Sequence, residues 1–208
     1  MKDNFPLLDT LERLFEGPRE SLLTVKAFLD GLGDRSYFFI ITALNFPNCL
    51  PTGIPMLSSV TGIPMVLLAI QHFLGRPSPS LPEFVGKRGL PRGSLQQMLV
   101  RARPHIERLE RAVHARNEWW VQGTMRKVTE ITWFLVIVVL ALPIPFDNLF
   151  PAWAIFFFCL ALIEDDGIMA MLGWLFSGLT AAWTVFLVML GHAAISTALG
   201  ALRRLVFD

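Results

Sequence analysis

The chain has 208 residues, 53% of them hydrophobic and 17% charged, with a net charge of +1 and a mean hydropathy of +0.52. An ordinary soluble domain carries about a quarter charged residues and just under half apolar ones, so the composition excludes a disordered chain and an ordinary nucleic-acid module, and argues against a simple cytosolic enzyme. Two cysteines, Cys49 and Cys159, exclude a disulfide framework.

The small net charge hides a segregated pattern. Residues 1–35 carry 5 Lys/Arg and 7 Asp/Glu, and they open with Lys2, Asp3, Asp9 and Glu12, which leave no apolar core for a cleavable signal peptide. Asp9-Thr10-Leu11-Glu12 reads as a capping box for a helix that Gly17-Pro18 ends. Ser21 is the expected cap of a second helix, Leu22–Leu32, whose apolar stripe is Leu22, Val25, Leu29 and Leu32.

Residues 36–74 contain no charged side chain, as a lipid-embedded block requires, because a Lys or Arg at mid-bilayer costs about 2.5–3.5 kcal/mol. A plain transmembrane helix needs about 20 apolar residues. The run Ser36–Phe46 is shorter, is broken by Pro47, Asn48, Pro51, Thr52 and Gly53, and resumes as Ile54–Leu74 with Pro55, Gly62 and Pro64 inside it. The words TGIPM recur at 52–56 and 61–65.

Residues 75–128 hold 11 Lys/Arg against 4 acids and read as a cytoplasmic segment by the positive-inside rule. A helix opening at Ser94 places Leu95, Met98, Leu99, Ala102, Ile106, Leu109 and Val113 on one face, with Arg101, Arg103, Arg108 and Arg111 on the other. It either lies on an anionic leaflet or packs on the rest of the protein. Pro104 is expected to kink it, and Trp119-Trp120 reads as an interfacial anchor.

Residues 129–163 repeat the grammar of the first block: Ile131–Leu142, a break at Pro143, Pro145, Asp147, Asn148 and Pro151, then Trp153–Ile163. Ala43-Leu44…Pro47-Asn48…Pro51 aligns with Ala141-Leu142…Pro145…Asn148…Pro151 across a two-residue insertion, which reads as a duplicated hairpin. Short arms fit either re-entrant hairpins or tilted spans. Residues 167–202 are uncharged and too long for one crossing, so a helical hairpin turning near Ser177–Thr180 is expected, with small residues from Gly191 onward suited to close packing or a homodimer. The chain thus reads as an all-α integral membrane protein of one membrane domain. Its parts are duplicated proline-broken helical hairpins, a C-terminal hairpin and amphipathic interfacial helices, with both termini on the cytoplasmic side.

Ionisable and polar groups inside apolar blocks are the functional candidates. Asn48, Asp147 and Asn148 would form a polar tip able to take a proton or cation if the two hairpin tips converge, and His192 is a second proton site. Against this stands a solvated turn Asp and a buried structural His. Glu164-Asp165-Asp166 forms an acidic turn before Gly167 that either holds a divalent ion, pairs with the middle block's arginines, or caps a helix. No phosphate loop, HExxH, metal-spaced Cys pair or nucleophile elbow is present, and nothing calls for a cofactor, a resident metal or an enzymatic reaction.

LDGLGDRS (29–36), the Pro/Asn tip after it, GIPMVLLAIQHFLGRP (62–77), LPIPFDNLFPAWAI (142–155) and the acidic turn before Gly167 together resemble the ExoD family, named for exopolysaccharide synthesis. The resemblance spans nearly the whole chain. It departs at Ser80, where Trp is expected before Leu-Pro, and at Asp165, where Arg is usual before Asp-Gly. It implies a bacterial inner-membrane protein tied to exopolysaccharide production and to growth at alkaline pH, and it carries over no catalytic residue.

The expected function is therefore non-enzymatic support of polysaccharide export or ion and pH balance, by a dimer that moves a small ion or solute. The alternative is a scaffold that recruits polysaccharide machinery through Arg101, Arg103, Arg108 and Arg111. An intramembrane enzyme would need a metal at Glu164–Asp166. The partners expected are the bilayer, its anionic lipids and a second copy, not nucleic acid.

Overall fold

A computed structural model describes residues 7–50, 57–113, 116–143 and 148–207. The N-terminal and middle segments, separated in the chain by the first apolar block, fold together. Helix α1 (Leu7–Phe15), strand β1 (Leu22–Thr24) and helix α2 (Val25–Leu32) meet strand β2 (Gly89–Pro91) and helix α6 (Arg92–Ala112), with the single turn α5 (Glu83–Gly86) between. β1 and β2 pair antiparallel, Leu22 with Pro91, Leu23 with Leu90 and Thr24 with Gly89. This ribbon departs from the expected helix at 22–32. Ser21 spends its hydroxyl on the Pro18 carbonyl at 2.7 Å. Thr24 instead caps α2, accepting from the Ala27 N–H at 3.1 Å.

Leu11, Phe15, Leu23 and Leu99 are the core of this lobe, with Phe28, Leu95 and Ile106 packed around it. Leu95, Leu99 and Ile106 of the α6 stripe thus pack against α1 and its neighbours, while Met98 of the same stripe is exposed. Arg92 and Gln96 close the lobe from the first turn of α6. Arg92 Nη1 donates to the Leu14 carbonyl at 3.2 Å and to that of Glu16, and Gln96 Nε2 donates to the carbonyls of Phe15 (2.9 Å) and Gly17 (3.1 Å). The Leu14 and Phe15 carbonyls close α1, where no partner is left within the helix, and those of Glu16 and Gly17 follow just beyond it.

The apolar blocks form a bundle. Helix α3 (Arg35–Asn45) runs into a 3-10 turn (Phe46–Cys49), and α4 (Leu57–Phe73) returns. Helices α7 (Gly123–Ala141) and α8 (Leu149–Glu164) make the second pair. α3 packs on α4 and α8, and α7 packs on the same two helices, which closes a ring of four. Its interior is filled by Tyr37, Phe38, Ile41, Met65, Trp133, Ile137, Leu140, Ile155 and Phe158, all buried. Phe38 and Trp133 meet edge to face, with centroids 5.2 Å apart.

α4 and α7 approach so closely that a Cβ on Gly62 would lie 2.7 Å from the Ala141 Cα. This gives a physical reason for Gly62 in the second TGIPM word.

The bundle is apolar outside as well. Val60, Ile63, Leu67, Ile70 and Leu74 form an exposed stripe at helical spacing on α4 and just past it, and Val128, Ile131 and Leu135 do the same along α7. Continuous exposed apolar stripes mark a membrane or partner surface. The arms, 11 residues in α3 and 19 in α7, reach about 16–28 Å at 1.5 Å per residue, short of the roughly 30 Å hydrocarbon core.

Helix α9 (Gly167–Phe207) corrects the expected C-terminal hairpin: it is one helix of 41 residues. No proline interrupts it. Ser177 and Thr180, the expected turn, bond back to the carbonyls of Gly173 and Phe176, each at 2.8 Å, so their hydroxyls are satisfied within the helix. Its first part lies along α8. The segment Gly167–His192 is long and apolar enough to cross a membrane, and only 11% of its most apolar window is buried. The unbroken helix also removes the turn that placed Arg203–Arg204 on the same side as the lobe.

Candidate functional site

Polar side chains gather at the two ends of the bundle. At the tip end, Pro47 starts the 3-10 turn, where its missing N–H costs nothing. Three residues per turn bring positions i and i+3 to one edge, and here these are Asn45 and Asn48, both buried. Asn45 Nδ2 donates to the Ala152 carbonyl in the first turn of α8 at 2.7 Å. Asn48 Nδ2 donates to Thr61 Oγ1 on α4 at 2.9 Å, and Thr61 donates onward to the Leu57 carbonyl at 3.0 Å. The tip is thereby stitched to both neighbouring helices. Both side-chain oxygens, Asn45 Oδ1 and Asn48 Oδ1, are buried with no donor among the described residues.

The other sequence candidates divide. Asn148 is half-buried at the start of α8; its side chain makes no capping bond, while its carbonyl accepts from the Ala152 N–H at 3.1 Å. Asp147 lies outside the described residues. His192 is exposed on α9 and does not join the tip. The Phe150 and Trp183 rings, 6.1 Å apart, set α9 level with the start of α8, so His192 lies nine residues further on, roughly 13 Å beyond.

The opposite, basal end carries the charges. Arg126 on α7 donates Nε to Glu130 Oε1 at 2.9 Å and Nη1 to Asp165 Oδ1 at 3.0 Å. His72 Nε2, at the end of α4, lies 3.8 Å from the same Glu130 oxygen. Four rings surround the His72 imidazole: Tyr37, Phe38, Phe73 and Trp133, at 5.1–6.0 Å. α4, α7 and the turn after α8 are thus tied by one chain of side chains.

The acidic turn is both an ion-pair centre and a cap. Asp165 adopts the left-handed conformation (φ 52°) that ends α8. Asp166 is buried, accepts from Arg116 Nε at 3.2 and 3.3 Å, and caps α9 by accepting the N–H groups of Ile168 (2.7 Å) and Met169 (3.3 Å). Glu164, beside them, is half-buried. The divalent-ion alternative finds Asp165 Oδ1 and both Asp166 oxygens already engaged by Arg126 and Arg116. Among the described residues no group of three His, Cys, Asp or Glu side chains is disposed to hold a metal.

On α6, Arg101 and Arg103 are exposed, and Arg103 Nη2 lies 3.5 Å from Glu12 Oε1 of α1. The Arg108 and Arg111 side chains lie outside the described residues. Sequence reasoning missed Asn45, Arg126 and Glu130. Two signals were available: the i, i+3 spacing of Asn45 and Asn48, and the i, i+4 pair Arg126–Glu130 at the edge of an apolar run.

A family model described as "Exopolysaccharide synthesis, ExoD" matches residues 7–186. The chain is 27% identical over 198 residues to Protein ExoD of Rhizobium meliloti (strain 1021), covering 93% of this chain and 81% of that protein. It is 29% identical over 162 residues to a protein of Synechocystis sp. described only as uncharacterized, covering 77% of this chain and 75% of the other. No solved structure matches it. The family match takes in the lobe, both helix pairs and the part of α9 that lies on the bundle, and the chain belongs to the ExoD family.

Proposed function

We propose that this chain supports exopolysaccharide synthesis and export from within the bacterial inner membrane, as a non-enzymatic protein whose hairpin bundle handles a small ion or solute at its tip end. The family supplies the process. The observation that carries the site is the pair of buried amide oxygens, Asn45 Oδ1 and Asn48 Oδ1, left without donors where α3 breaks. A buried polar group without a partner costs about 1–3 kcal/mol, so an arrangement that keeps two of them calls for a guest.

The hairpins enter the bilayer from the lobe side and re-enter rather than cross, which suits their short arms and outward apolar stripes. Packing α3 on α8 and α4 on α7 is the pattern two copies of one hairpin would give about a two-fold axis, in keeping with the repeated Ala-Leu…Pro…Asn…Pro words. Interrupted helices that offer polar groups near the bilayer interior are how small solutes and ions are held in membrane proteins of this kind.

The test is complementation of a deletion strain. Wild type is expected to restore polymer output and growth at alkaline pH. Asn48→Ala, present in the membrane at wild-type level, is expected to restore neither. Full restoration by Asn48→Ala and Asn45→Ala overturns the tip reading.

A scaffold role has one specific observation in its favour. Leu95, Leu99 and Ile106 of α6 pack inside the lobe, and Arg101 on the same helix is exposed and can face a partner or anionic lipid. Under that reading, joint charge reversal at Arg101, Arg108 and Arg111 abolishes function while the tip variants remain active.

A further inference from the structure

We infer that Asn45 Oδ1 and Asn48 Oδ1 are ligands of a small, partly dehydrated monovalent cation held at the end of α3; this rests on the reading of the tip as the functional end. The orientation of both amides is set by their neighbours. The Ala152 carbonyl can only accept, so Asn45 must turn its Nδ2 toward it and its oxygen away. Thr61 spends its hydroxyl hydrogen on the Leu57 carbonyl, so it offers Asn48 a lone pair and takes Nδ2. Exchanging oxygen and nitrogen in either amide would break these bonds, so the unpartnered oxygens are a property of the packing.

Among the described residues no cationic side chain meets those oxygens. Residues 36–75 and 128–202 contain no Lys or Arg, and Arg76 and Lys127, which bound these stretches, belong to the basal end. Asn45 is the last residue of α3, where the partial negative charge of the helix C-terminus favours a cation. Neutral amide oxygens suit a monovalent ion, because a divalent one needs carboxylates to offset its dehydration. Helix C-terminal ends and unwound backbone hold Na+ in interrupted-helix membrane proteins for the same electrostatic reason.

The experiment uses the purified full-length protein in detergent. Its melting temperature is followed by tryptophan emission in NaCl, KCl and choline chloride at equal ionic strength. A ligand of the folded state raises the midpoint in a saturable manner. Na+ or K+ is expected to raise it by several degrees over choline, and Asn45→Leu and Asn48→Leu are expected to lose that shift. Asn48→Asp puts a carboxylate where the amide oxygen stands, and is expected to keep the shift with half-saturation at a concentration at least tenfold lower.

If wild type melts identically in all three salts, the oxygens hold ordered water only and the cation assignment is overturned. A shift that survives in both leucine variants, or that Asn48→Asp abolishes, overturns it as well. Should the leucine variants not fold, the wild-type titration and Asn48→Asp still decide. No salt effect together with loss of polymer output in Asn48→Ala removes the cation and leaves the tip reading intact. A cation shift with unchanged polymer output does the reverse.

Discussion

Arg116 and Asp166 are joined through side chain and backbone at once. The guanidinium Nε reaches both carboxylate oxygens at 3.2 and 3.3 Å, and the Arg116 carbonyl accepts from the Gly167 N–H at 2.7 Å. The contact leaves no room for a side chain at 167, where a Cβ would collide with the Asn117 carbonyl. It anchors the first turn of α9 to the segment that follows the lobe.

Removing the carboxylate should therefore cost more than a surface ion pair. Asp166→Ala loses an ion-pair partner of Arg116 and the cap of α9 together. About 3 kcal/mol is expected, near the low end for a broken buried pair because a third of the Arg116 side chain meets solvent. Asp166→Asn keeps a capping oxygen and should cost less than half as much. Denaturant titration in detergent, with helical signal as readout, checks both; equal stability of Asp166→Ala and wild type would contradict the anchoring role.

The lobe has its own fastening. Arg92→Met leaves the Leu14 and Glu16 carbonyls without this donor, and Gln96→Ala those of Phe15 and Gly17, in the last turn of α1 and just past it. Each change should loosen α1 from α6 by about 1–2 kcal/mol. Hydrogen exchange is expected to rise across α1 and β1 and to remain unchanged in α7 and α8. Faster exchange in the bundle would mean that lobe and bundle unfold as one unit.

How much of this was legible in the sequence depends on whether the deciding signal was local. The arms were legible: the charge-free run and Pro47 place α3 at Arg35–Asn45, within a residue of the expected Ser36–Phe46. The pairing of Asn45 was not, because its partner is a backbone carbonyl 107 residues away, and any Asn at a helix end resembles a turn former. The β1–β2 ribbon was invisible for a similar reason. Three residues per strand carry no period, and Gly89 and Pro91 read as turn punctuation. The supposed turn at Ser177–Thr180 came from fitting 36 residues to one bilayer thickness. The helix instead runs on past that thickness, since hydroxyls bonded to their own helix break nothing.

Gly62 sets the spacing of α4 and α7. Adding one methyl there meets the Ala141 backbone, which cannot rotate out of the way. Gly62→Ala should destabilise by about 1–3 kcal/mol, the usual range for overpacking. Gly178→Ala is the control: nothing lies within 4 Å of a Cβ there, and an exposed helical Gly→Ala change is expected to stabilise by up to about 1 kcal/mol. Melting temperatures of the two variants, moving in opposite directions, check the contact.

The continuity of α9 makes a prediction about topology. Gly167–His192 measures about 39 Å at 1.5 Å per residue, enough to cross a hydrocarbon core of about 30 Å once. Its start is tied to Arg116 and Arg126, which belong to the block with 11 Lys/Arg, and the positive-inside rule puts that block in the cytoplasm. Arg203 and Arg204 are then expected on the far face, a minority of the basic charge placed outside by a helix that has no turn. Single cysteines in place of Arg101 and Arg204, in a background where Cys49 and Cys159 are replaced by Ser and Ala, separate the two arrangements. In intact cells a membrane-impermeant maleimide should label the Arg204→Cys protein and spare Arg101→Cys until the membrane is opened. Protection of both sites in intact cells would mean that the chain returns to the cytoplasmic side, and that α9 does not cross as one helix in the bilayer.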